Sequence, residues 1–259
     1  MEMVLLAHYN VPFYLQEKDL TMGKQFDFSA CHPEWKAMLE TAVEKMDKSY
    51  IDKLLAATDW LPGLDTVFAA FSLPLSQTQY VLFGESPYPR SQSANGYAFW
   101  DNAVGSLWSP QGFSKPVNRA TSLRNWLKML LVARGSLNSD TSQQAIAQID
   151  NSALVQTAED FFGGMMNKGI LLLNACLIYE EGKIPYHARH WKPFMQSLLE
   201  QLAEIKPEVQ LILLGKIAEA VPQDKLPVGL AVEHPYNVSF ITNQAVIEFF
   251  QPLDLLSYA

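Results

Sequence analysis

The residues best suited to chemistry are Glu85, Ser86 and Tyr88, set in a stretch reading YVLFGESPYPRSQSANGYAFW over positions 80–100. Tyr80 to Phe83 read as a buried strand. Gly84 follows, two prolines flank Tyr88, and Gly96 closes a polar run. Glu85 and Ser86 therefore offer an acid and a hydroxyl held stiffly at a strand end. A proline-braced turn would explain the same residues without any function, yet loops at strand ends are also where sites are built. Three more polar residues fall in equivalent places. Asn174, which carries both a donor and an acceptor, comes late in GILLLNACL (169–177). Lys216 follows VQLILLG (209–215), and His234 lies near the end of GLAVEHP (229–235). Ligands of α/β sheets bind just beyond the carboxyl ends of the strands, so four such coincidences point to one ligand site.

The elements that must position these residues are legible in outline. The runs at 80–83, 169–177 and 209–215 are near-continuously apolar, which suggests parallel strands covered on both faces, and 229–235 is a weaker fourth. Between them lie helical patterns: HPEWKAMLETAVEKMDKSYIDKLLAAT at 32–58, SLRNWLKMLLVA at 122–133 with Ser122 placed to cap it, and ARHWKPFMQSLLEQLAEI at 188–205, stopped by Lys206-Pro207. Strands alternating with helices imply an α/β sheet with crossover connections. The polar stretch at 134–156 reads as a surface loop or short helix. No repeat or low-complexity tract divides the chain, so one domain over 1–259 is expected, with an N-terminal helical region at about 1–78.

With 259 residues and 49% apolar content the chain can bury a substantial core. Its start has no basic n-region, and no run approaches the roughly 18 apolar residues of a membrane helix. Cys31 and Cys176 make neither a disulfide framework nor a metal-site spacing. A reducing, cytoplasmic setting, a monomer and no membrane partner are the simplest expectations. The net charge of −8 argues against tight non-specific binding to nucleic acid, while leaving room for a local basic face.

A series of segments, in order, resembles the main family of uracil-DNA glycosylases. PGLDTVFAAFSLPLSQTQYVLFGESPYP resembles the approach to that family's water-activating loop, usually written GQDPYH. ANGYAFW resembles the segment ending in the phenylalanine that stacks on uracil, and ATSLRNW a phosphate-contacting Pro-Ser-Leu loop. GILLLNACL resembles the strand bearing the asparagine that reads uracil, followed by HARHW at 187–191. LILLGK resembles the strand and Gly-Ser loop that clamps the backbone, and HPYNVSF the HPSPLS loop with its histidine and intercalating leucine. The resemblance covers roughly residues 33 to 240. It implies a three-layer α/β/α domain around a central four-stranded parallel sheet, hydrolysing the N-glycosidic bond of uracil in DNA without metal or cofactor.

Carried over residue by residue, the resemblance places Asn174, Phe99, Tyr88 and Glu85 around the flipped base. Asn174 would read its Watson–Crick edge, Phe99 would stack on it, and Tyr88 would stand against C5 to exclude a thymine methyl. His234 would donate to the carbonyl on which charge develops. Ser122, Lys216, Val238 and His187 would meet the DNA. Ser86 stands where the family has aspartate, the wedge leucine becomes Val238, and Tyr236-Asn237 replace Ser-Pro. Serine can hold a water but cannot act as a base near neutral pH, so catalysis should be weakened or altered. The alternative is an impaired homologue that binds DNA or a replication or repair protein without turnover.

Overall fold

The computed structural model describes residues 26–258. Among them the strands are β1 Tyr80–Gly84, β2 Trp108–Ser109, β3 Gly112–Phe113, β4 Ile170–Asn174, β5 Gln210–Leu214 and β6 Val228–Val232. The α-helices are α1 Lys36–Glu44, α2 Lys48–Ala56, α3 Lys115–Arg119, α4 Thr121–Ala133, α5 Gln143–Ala147, α6 Ala158–Asn167, α7 Ile184–Ile205, α8 Ile217–Ala220 and α9 Gln244–Phe250. Four strands form a wholly parallel sheet in the order β4-β1-β5-β6, while β2 and β3 make a short antiparallel pair.

The apolar runs are continuous because both faces of the sheet are covered. Val81, Phe83, Leu171, Leu173, Leu211 and Leu213 pack with α1, α2 and α7 on one side. Leu82, Ile170, Leu172, Ile212, Leu214 and Leu230 pack with α4, α6 and α9 on the other. That division is the two-residue period of a strand, and it produces the expected α/β/α layers. The sheet grows in both directions from β1, so a topological switch point lies beside β1, where α/β sheets take their ligands.

Local chemistry redraws several sequence boundaries. The long helical pattern at 32–58 is a 3-10 turn and two helices, because the Asp47 side chain accepts the Tyr50 N–H at 2.7 Å and starts α2 afresh. Ser122 does not cap α4; the helix begins one residue earlier, Ala120 occupies the cap position, and Ser122 sits in the first turn. The polar stretch contains a short helix, α5, capped by Ser142. Of the N-terminal region at 1–78, positions 1–25 lie outside the described residues. Among the described residues no helix is long and apolar enough to cross a membrane.

Candidate active site

Gly84 and Asn174 are register partners at the ends of β1 and β4. A Cβ at position 84 would collide with Asn174 Oδ1 and stand 2.9 Å from the Ala98 methyl, so glycine is what lets the two strand ends close on each other. The exit loops stay joined. Ala175 N–H donates to the Gly84 carbonyl at 2.9 Å, and Cys176 N–H to the Glu85 carbonyl at 3.0 Å. Asn174 is 2% exposed and lines a cavity of about 190 Å³. Its carboxamide finds no hydrogen-bond partner among the described residues. The amide opens into that cavity, where its donor and its acceptor can both meet what enters.

Seven of the residues picked from the sequence line that cavity: Glu85, Ser86, Tyr88, Phe99, Ser122, Asn174 and His234. Phe99 has φ +63°, a left-handed backbone that costs a non-glycine residue on the order of 1–3 kcal/mol. It is held there by the Tyr88 hydroxyl, which donates to the Phe99 carbonyl at 3.2 Å, and by an edge contact with Trp126 at 5.4 Å. Burial, and secondarily the charge of Asp101, pushes the Tyr88 phenol up to about 12, so it remains a neutral donor. The His234 ring lies 5.7 Å from that of Phe99 with 29° between their planes. Its Nδ1 accepts the Tyr236 N–H at 3.1 Å, which leaves the proton of a neutral ring on Nε2. Burial lowers the His234 pKa, against the opposing pull of the Glu85 carboxylate. Glu85 is the one carboxylate among the residues lining the cavity, and Ser86 beside it is half-buried. The arrangement can take a flat heterocycle under Phe99, present it with the Asn174 amide, and direct a neutral N–H donor at it.

A sequence profile of the uracil DNA glycosylase superfamily matches residues 72–258. The chain belongs to that superfamily. A uracil-DNA glycosylase of Corynebacterium glutamicum is 28% identical over 210 residues, 78% of each chain. One of Helicobacter pylori is 26% identical over 227 residues, 83% of this chain and 88% of the other. The crystal structure of the wild-type UNG of Nitratifractor salsuginis is similar with a TM-score of 0.83 and 41% identity, over 89% of this chain and 94% of that one.

Around this superfamily core, the remaining sequence-chosen residues separate. Lys216 is exposed and lines a second, open cavity of about 490 Å³ that shares His234 with the first. Gly215, at φ +77°, lets the two loops meet, since a Cβ there would come within 2.8 Å of the His234 Cβ. Val238, 73% exposed, begins the 3-10 turn after His234. His187 is the correction. Instead of facing DNA it is 3% exposed on α7, with Nδ1 2.8 Å from the Tyr50 hydroxyl and Nε2 3.0 Å from Glu180, so it ties α2 to α7.

Two residues escaped the sequence reading. Asn125, 2% exposed, donates through Nδ2 to the carbonyls of Pro235 at 2.8 Å and Tyr236 at 3.3 Å, fixing the His234 loop. A polar residue on the apolar face of α4 was the available signal. Tyr97 lines the cavity, with its hydroxyl 3.0 Å from that of Ser72.

Proposed function

We propose that this chain is a DNA glycosylase that takes uracil, or a closely related base, out of the strand and hydrolyses its N-glycosidic bond, with catalysis weakened by Ser86. The observation that carries the reading is that the Asn174 carboxamide, which has no partner among the described residues, lines one cavity with His234 and with a phenylalanine held in a left-handed backbone. Uracil's edge offers a carbonyl and an N–H side by side, which one carboxamide satisfies with one donor and one acceptor. Phe99 stacks on the ring, and Tyr88 fills the space beside C5, where a thymine methyl would have to go. When the C1′–N1 bond breaks, its electron pair moves onto the base and negative charge gathers on the carbonyl facing His234. A neutral Nε2–H aimed at that oxygen is worth on the order of 10²–10³ in rate, and the lowered pKa keeps the ring in that form.

The sugar is left with positive charge that water must quench, its hydroxide adding to C1′ and its proton passing to solvent. Ser86 can orient that water but cannot take its proton. Loss of a positioned base costs on the order of 10²–10⁴. The similar proteins named above are called uracil-DNA glycosylases, which favours the same substrate here. A second reading, an impaired homologue that binds DNA or a replication or repair protein without turnover, is favoured by the neutral residue at 86.

The deciding experiment is release of uracil from single-stranded uracil-containing DNA by the purified protein. Slow release that disappears in His234→Ala supports the proposal. Tight binding with no release, in a folded protein, favours the second reading.

A further inference from the structure

Among the described residues the two most exposed large hydrophobic side chains are Val238, 73% exposed, and Tyr236, 67% exposed. Both lie on the loop that carries His234. The Tyr236 backbone is fixed at both ends: its N–H donates to His234 Nδ1 at 3.1 Å, and its carbonyl accepts from Asn125 Nδ2 at 3.3 Å. The ring itself stacks on no other ring among the described residues. It lines the open cavity that shares His234 with the base pocket, together with Lys216, Glu219 and Glu233. Because the two cavities share His234, a strand that delivers one base to the pocket brings a neighbouring base close to this one.

We propose that Tyr236 is a stacking platform for the base next to the flipped one, acting on single-stranded DNA far more than on duplex. The inference rests on the glycosylase reading. The lining is not basic, since Lys216 shares it with two carboxylates, Glu219 and Glu233, so electrostatics contributes little. An aromatic platform binds any base through its π-face without charge. A rigid backbone beneath a free ring supplies that at small entropic cost. In a duplex the neighbouring base is already stacked and paired, so the platform gains nothing until that stack is broken. Val238 is too short to fill the gap left by a flipped base, which removes the usual means of holding a duplex open. Single-stranded DNA meets neither obstacle.

The test uses single-stranded and duplex oligonucleotides carrying 2-aminopurine beside a non-cleavable 2′-fluoro-deoxyuridine, with matching uracil substrates for kinetics. Wild type and Tyr236→Phe should quench 2-aminopurine in the single strand, and Tyr236→Ala should not. Tyr236→Ala should raise KM on single-stranded uracil DNA roughly 5- to 150-fold, the range of one base–aromatic stack, with kcat moving less and KM on duplex nearly constant. Quenching that survives Tyr236→Ala, or a single- to double-strand ratio that it leaves unchanged, overturns the proposal. If wild type releases no uracil but still shows Tyr236-dependent quenching, the catalytic reading fails and the platform stands.

Discussion

If Ser86 is what limits catalysis, Ser86→Asp should raise the rate of uracil release. The change adds little volume at a half-buried position, and the loop is already fixed. Cys176 N–H holds the Glu85 carbonyl at 3.0 Å, and Pro87 is buried. A carboxylate there would orient the water, accept its proton and face the positive charge on the sugar. A positioned base contributes on the order of 10²–10⁴, which is about 2.7–5.4 kcal/mol off the barrier at 1.36 kcal/mol per tenfold. Two effects oppose the gain. The new carboxylate adjoins Glu85, and a second negative charge reinforces the pull that already raises the His234 pKa against burial. Both effects are worst in acid, so the gain should grow from mildly acidic to alkaline pH. Single-turnover release from single-stranded uracil DNA across pH measures it, with Ser86→Asn as the neutral control of similar size. An equal gain in Ser86→Asn would show that shape, not charge, was missing. No gain in a folded Ser86→Asp would place the deficit in DNA engagement and refute the argument.

Asn174→Asp should lose uracil and gain cytosine, because it replaces the amide donor with an acceptor; competition between uracil- and cytosine-containing oligonucleotides reads the switch, and unchanged preference would remove Asn174 from base recognition. Tyr88→Ala should admit thymine by opening the space beside C5 while also freeing the Phe99 carbonyl, so release of thymine should appear as uracil release falls. The acid limb of the rate should lie below pH 6.5, the ordinary histidine value, because burial lowers the His234 pKa and keeps the ring neutral into mild acid. Glu85→Gln should carry that limb lower still, since it removes the charge that opposes the shift, and a pH profile of the two proteins decides this.

Strands β1, β4 and β5 were legible because they are buried on both faces and so appear as unbroken apolar runs, although the run at 169–177 extends three residues past β4. Strand β6, half-exposed, gave the weaker run at 229–235, which also overshoots it by three. Asn174 and His234 could be picked out for the same reason, since a polar residue closing such a run must sit at a strand end. What the sequence hid are pairings across long stretches of chain. His187 looked available for DNA, but its ring is taken by Tyr50, 137 residues away. Asn125 looked like one more helix residue, and its role depends on carbonyls 110 and 111 residues away. Helix α6 was missed although its signal was present: Thr157 and Asp160 form a reciprocal capping box, but Gly163 and Gly164 weaken the helical pattern that follows.

The two halves of the site come from opposite parts of the chain, and one helix brings them together. Ser122, Asn125 and Trp126 are spaced three and four residues apart, so they share one face of α4. Ser122 lines the base cavity. Asn125 pins the loop behind His234, and Trp126 packs edge-on against Phe99. The separation between the Phe99 and His234 rings is therefore set by the backbone of a single rigid element rather than by the loops that carry them. Residues 86, 236 and 238 can therefore vary while Phe99, Asn174 and His234 stay together. Of those three positions only Tyr236 takes part in the contacts around α4 and His234, and it does so through its backbone N–H and carbonyl, which a change of side chain leaves in place. Substitutions there can alter the handling of water and of the DNA strand while Phe99, Asn174 and His234 keep their places. A change at Asn125 or Trp126 would instead disturb both halves at once.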